Sequence, residues 1–148
     1  NEVSRRLRNI KNPDFIAFFK SEDYSAQLLI LFYAACKTYQ IIADFMLEVV
    51  LDKWYNLDID LSTKDFQHFM YEKMDAHPEL ESVSPKQIVK ISTVPIKMMK
   101  DIGMLKHGKL QKPEYNQSLL RQIAQNGDAW FLEVLLLNET ERKEILNQ

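Results

Sequence analysis

The chain has 148 residues, of which 46% are apolar and 11% aromatic, with three glycines, five prolines and one cysteine. That composition fills one packed domain, or two small ones sharing a core, excludes a disordered chain, and predicts long uninterrupted helices. The net charge of −2 hides a segregation: +3 over residues 1–20, −8 over 21–83, +6 over 84–112 and −3 over the remainder. The total excludes little, whereas the distribution admits a polyanionic partner.

The opening "NEVSRRLRNI" carries charges and no apolar run, so no signal peptide is expected there. Without an initiator methionine, and reading as the inside of a helix, it predicts further residues ahead of Asn1. Arg5, Arg6 and Arg8 make it basic and count among the candidate DNA contacts. Asn12, Pro13 and Asp14 then read as a cap, a first-turn proline and an early acid, opening a short helix through "DFIAFFKS".

No Gly or Pro occurs from 24 to 54. This is the one stretch where a membrane span deserves thought. Lys37, Gln40, Asp44, Glu48 and Asp52 recur three or four apart, however, which is a polar stripe, and the uncharged run before them is too short to cross a bilayer. One or two amphipathic helices are expected, forming the scaffold of a cytoplasmic protein, with a break near 37–39 allowed. Leu29, Phe32, Ile41 and Phe45 are the core candidates. Cys36 sits in "FYAACKTY" with no basic group beside it, and reads as a buried structural thiol in a reducing compartment.

"LDIDLS" is a loop, and Ser62 or Thr63 can cap a helix over 64–76. Phe66, Phe69, Met70 and Met74 form its apolar face; Asp65, His68, Glu72 and Asp75 form the other. After the connector "AHPELESV", Ser84 and Pro85 open a helix over 85–102 that stops at Gly103. At 100° per residue, Ile88, Ile91, Pro95, Met98, Met99 and Ile102 share one face. Lys86, Lys90, Thr93, Lys97 and Lys100 share the opposite one, with no carboxylate interleaved. Helix surfaces usually mix Glu with Lys, so unpaired lysines on one stripe point to an anionic partner. Pro95 leaves an alternative open, in which Ser92 or Thr93 caps a second helix and the stripe bends.

Met104-Leu105 and Leu110-Gln111 are predicted to pair as two short strands around a His107-Gly108 turn. Lys106, Lys109 and Lys112 decorate this hairpin. A capped helix, a glycine stop and a basic hairpin together outline a winged helix-turn-helix. In that outline the lysines contact phosphates, His107 sits at the wing tip, and Gln87 and Thr93 are the candidate base contacts. The bland alternative is a solvated basic surface. "QSLLRQIAQNG" follows as a helix closed by Gly127. Asp128 is expected to begin the next, "DAWFLEVLLL". Asn138 caps the last, with Glu141 placed for a capping box.

The expected class is mainly α: a helical scaffold over 1–60 and a winged helix-turn-helix-like part over 61–148, containing one short β-hairpin. No GxSxG, P-loop, HExxH or CxxC motif occurs. Asp65, His68 and Glu72 share a face near Asp58 and Asp60. A single His in such a stripe reads as a solvated acidic surface rather than a metal site. No catalytic residue, cofactor, metal or small-molecule substrate is expected.

Across most of its length the chain resembles the BrxA family of BREX bacteriophage-defence systems. The resemblance is carried by "EVSRRLRNI", "ADFMLEVV", "DFQHFMYEK", "SPKQIVK" with "MMKDIGML" behind it, and "WFLEVLLL". It implies an all-helical bacterial protein with helix-turn-helix or winged-helix character that binds double-stranded DNA with weak sequence preference and works beside other BREX proteins. The family has also been labelled an inner-membrane protein, against which the polar stripe argues. Two function classes result: a DNA-binding accessory protein, or a helical module that docks other proteins through its acidic segment or an aromatic surface.

Overall fold

The computed structural model describes residues 8, 20, 23–76, 78 and 82–147. The expected helix at Asn12–Asp14, and Arg5 and Arg6, lie outside the described residues. Arg8 is an exposed turn residue.

Asp23 caps the first helix, α1 (Tyr24–Thr38), by accepting from the Ala26 N–H at 3.2 Å. The helix ends at Tyr39, whose backbone is extended at φ −119°. Thr38 contributes to the stop, since its hydroxyl donates to the Ala34 carbonyl at 2.8 Å and competes for the helical acceptor. A second helix, α2 (Gln40–Tyr55), restarts at an angle of 104° and carries a π-helical turn over Met46–Val50. The break corrects one expectation. Lys37 belongs to α1, so it does not continue the polar stripe of Gln40, Asp44, Glu48 and Asp52. Among the described residues no single helix is long and apolar enough to cross a membrane; α1 and α2 reach that length only as a sharply bent pair. Leu29, Phe32 and Phe45 are buried, but Ile41, in the first turn after the bend, is only half-buried.

The loop after α2 passes Leu57, held at φ 59°, and reaches α3 (Thr63–Ala76). Ser62 accepts from the Lys64 N–H at 3.3 Å, and the Asp65 carboxylate accepts from the Ser62 N–H at 2.9 Å, closing the start of α3. Phe66 and Phe69 meet Phe45 of α2, with ring centroids 4.9 and 5.5 Å away. The longest helix, α4 (Pro85–Asp101), packs along α3, with Gln67 of α3 donating to Ser92 of α4 at 3.3 Å.

A two-stranded antiparallel hairpin follows, β1 (Leu105–Lys106) and β2 (Lys109–Leu110), with Leu105 opposite Leu110. His107 and Gly108 turn at φ 53° and 73°, the positive values a two-residue turn of the primed kind requires. The hairpin is not isolated. Leu110 N–H donates to the Ile59 carbonyl at 2.7 Å, Leu61 N–H to the Gly108 carbonyl at 3.0 Å, and Asp60 bridges Lys109 antiparallel. The loop before α3 thus lies beside the hairpin as a third, strand-like edge.

Next come α5 (Gln117–Ile123), a π turn over Ala124–Asp128, α6 (Trp130–Val134) and α7 (Glu139–Leu146). Gly127 at φ 90° allows the turn into α6, and Leu136 at φ 67° ends that helix two residues before Asn138. Asn138 and Glu141 form the capping box of α7. The protein is therefore mainly α with one small hairpin. Its buried apolar residues, from Ala26 to Ile145, make one continuous cluster.

Candidate nucleic-acid interface

The start of α4 is fixed by its own sequence. Ser84 accepts from the Gln87 N–H at 3.2 Å, the Gln87 side-chain oxygen accepts from the Ser84 N–H at 2.8 Å, and Pro85 occupies the first turn. This locks Gln87, whose amide oxygen belongs to the cap. The cap uses the oxygen, and the side-chain amide nitrogen of Gln87 takes no part in it.

Beyond the cap, α4 runs unbroken through Pro95. The alternative start at Ser92 or Thr93 is overturned. Their hydroxyls donate backward, to the Val89 and Lys90 carbonyls at 2.7 Å each, instead of capping a new helix. The Pro95 ring is buried beside Ile88, Ile96 and Met99 on the core face. Ser92 shares that face and is fully buried, its hydroxyl satisfied by Val89 and Gln67.

Lys86, Lys90, Thr93, Lys97 and Lys100 are all exposed on the outer face of α4. Val89, 54% exposed, sits on the edge of the same stripe, and Ile91, expected on the apolar face, is 39% exposed. Lys106, His107, Lys109 and Lys112 are exposed on and just after the hairpin.

The stripe is not free of carboxylates, which corrects a second expectation. Lys97 pairs with Asp101, one turn on, at 3.2 Å. Lys109 pairs with Asp60, and Lys112 with Glu141 of the α7 capping box. Burial pushes the Glu141 carboxyl up, but the Lys112 hydrogen bond, the Asn138 N–H and the Lys112 charge outweigh it and hold it below its ordinary value. The side-chain ammonium groups of Lys86, Lys90, Lys100 and Lys106 have no hydrogen-bonding or ion-pair partner among the described residues.

The acidic face is engaged internally. Asp65 lies 3.8 Å from Lys53 and also closes the start of α3, while Glu72 pairs with His68 at 3.0 Å. Lys53 reaches Asp58 at 2.8 Å, and that hydrogen bond leads the causes raising the lysine and lowering the carboxylate. Among the described residues no three His, Cys, Asp or Glu side chains come together to hold a metal ion.

Asp128 is the residue that sequence reasoning placed wrongly. It does not cap α6, whose capping position is Ala129. Its carboxylate is buried and accepts from Tyr33, from Lys37 at 2.7 Å, from Trp130 at 3.1 Å and from Asn126 at 3.5 Å. Burial alone raises the carboxyl, but the hydrogen bonds from Lys37, Tyr33 and Trp130 and the Lys37 charge prevail, and its value is lowered. Tyr33 is driven up, first by burial and then by its bond to Asp128. The sequence around it shows only an acid after Gly127 and before the mostly apolar stretch 129–137, which reads as a helix start.

A family model described as BrxA matches residues 1–127. No curated protein and no solved structure matches the chain.

Proposed function

Since the chain belongs to the BrxA family, whose setting is BREX phage defence in bacteria, we propose that it is a non-enzymatic accessory protein that binds duplex DNA through α4 and the hairpin. The observation that carries this reading is the outer face of α4, where Lys86, Lys90, Lys97 and Lys100 are exposed and Lys106 continues the positive surface onto the hairpin. The order of elements supports it: α2, the bridging Asp60, α3, α4 and the β1–β2 hairpin follow one another as in a winged helix, with α4 as the groove-entering helix. Lysines supply phosphate contacts without sequence information, and Thr93 is the side chain placed among them to touch a base edge.

A non-enzymatic role agrees with the engagement of the candidate reactive groups. Asp65 pairs with Lys53, His68 lies 3.0 Å from Glu72, and burial pushes the Cys36 thiol up, away from the reactive thiolate.

The test is an electrophoretic shift with unrelated duplexes at two salt concentrations. Four free lysines contacting four phosphates give a log–log slope of about −3.6, at about −0.9 per contact. Reversing Lys86, Lys90 and Lys106 to Glu is expected to weaken every duplex alike and flatten the slope by about one unit per lost contact. Reversal of Lys143, whose ion pair with Glu139 lies on α7, should change little. A folded triple variant with unchanged affinity and slope removes the reading.

One observation favours a second reading, a module that docks other BREX proteins without touching DNA. Tyr55 at the end of α2 and Leu57 and Ile59 on the loop after it are exposed, among Asp52, Asp58 and Asp60, and Leu57 is 88% exposed. Absence of any duplex shift, with partner binding lost in Leu57→Asp, would establish it in place of the first.

A further inference from the structure

We propose that Asp60, Asp101 and Glu141 act as built-in phosphate surrogates that limit how tightly the protein holds duplex DNA of arbitrary sequence. The proposal rests on the DNA-binding reading above and assigns these carboxylates a role in setting specificity.

The seven lysines of 84–112 fall into two classes. Four are free among the described residues; three are matched one-to-one by carboxylates from separate parts of the fold. Asp101 ends α4, Asp60 lies in the loop before α3, and Glu141 opens α7. Only the Lys97–Asp101 pair is a one-turn neighbour; the other two join residues 49 and 29 apart in sequence, so the fold brings them together. The matched lysines include both that flank the hairpin on its β2 side. A wing with two of its three lysines already matched by counter-charges, and only Lys106 free, contributes less to an encounter with a phosphate backbone.

Two of the pairs are also suited to exchange, while Lys112 and Glu141 are the least exposed, at 35% and 25%. Lys97 is 77% exposed, and both Lys109 and Asp60 are more than half exposed, so these are weak surface pairs. A duplex phosphate that displaces the carboxylate gains the lysine and must then tolerate a displaced negative charge beside it. Sequence-independent attraction grows with every lysine neutralising a phosphate. Holding three in reserve keeps arbitrary DNA weakly bound and leaves base contacts a larger share of the discrimination.

The experiment uses the full chain and fluorescence anisotropy with a duplex of arbitrary sequence about 20 base pairs long, at two salt concentrations. Asp60→Asn, Asp101→Asn and Glu141→Gln are compared singly and together. Glu141→Gln keeps the oxygen that accepts the Asn138 N–H, so the α7 cap survives. Asp52→Asn is the control, because it removes the same charge from a side chain that pairs with none of these lysines. Each freed lysine that takes up a phosphate is expected to tighten binding roughly 5- to 10-fold near 0.1 M salt and steepen the slope by about 0.9. The control should match the wild type. If the wild type binds and the triple variant matches it in affinity and slope, the surrogate role falls while DNA binding stands. An equal gain from Asp52→Asn shows a net-charge effect and also overturns it. If neither the wild type nor the triple variant binds duplex, both proposals fail; binding by the triple variant alone supports this one.

Discussion

Asp128 shows how much one side chain can settle in this chain. Its carboxylate sits inside the protein with four hydrogen-bond donors around it, one of them the Lys37 ammonium. Asp128→Asn keeps the shape and removes the charge, leaving Lys37 without its counter-ion. The expected cost is about 2 kcal/mol, below the 3–5 of a wholly buried pair because Lys37 keeps a quarter of its side chain exposed. A carboxyl whose folded value lies below its ordinary 3.8 stabilises the fold fully above that value, and the contribution disappears as pH falls through the depressed folded value. Denaturant titrations should therefore separate wild type from Asp128→Asn at neutral pH and bring them together in acid. An equal gap at both would show that the charge is irrelevant. Nothing local in the sequence announces this role, because an acid after a glycine reads as a helix cap. Only the fold, which brings residue 33 to residue 128, distinguishes the two. Lys37 was illegible for the same reason, its place on a polar stripe being cancelled by the bend at Tyr39.

Elements were more legible than their relations. Ser84-Pro85 and Asn138 with Glu141 announce helix starts because their side chains bond to backbone groups within three residues, and both capping boxes form. The His107-Gly108 turn was readable because positive backbone angles favour these residue types. The carboxylates facing Lys109 and Lys112 were not, since they lie far away in sequence. The third edge at Asp60 escaped for that reason too, a single bridge having no hydropathy pattern of its own. Packing between elements is testable at the α2–α3 seam. Phe45 is fully buried against Phe66 and Phe69. Phe45→Ala should cost about 3–5 kcal/mol in denaturant unfolding, whereas Ile41→Ala, at a half-buried site, should cost clearly less. Equal losses would mean that the bend does not set burial as described.

At the scale of the whole molecule, the acidic and basic segments of the sequence fold onto one another in part, through Lys109 with Asp60. The charge blocks of the linear chain thus overstate the separation on the surface. The core is common to residues from both ends of the described chain, and Cys36 lies within it, 1% exposed. Burial raises its thiol and denies it to reagents, so alkylation in native buffer should proceed only through global opening. Its rate should track stability measured independently, and rapid labelling of the folded protein would show that the α1 face opens locally. The latch between Lys37 and Asp128 has a practical consequence for anyone cutting the chain into pieces. The stretch matched to the family stops at residue 127, one position before the carboxylate that Tyr33 and Lys37 hold. A fragment ending there would also lose Phe131, Leu132, Leu135 and Ile145 from the core, so its boundary by similarity is not a boundary of folding. The shortest fragment that keeps the buried cluster whole must run past Ile145.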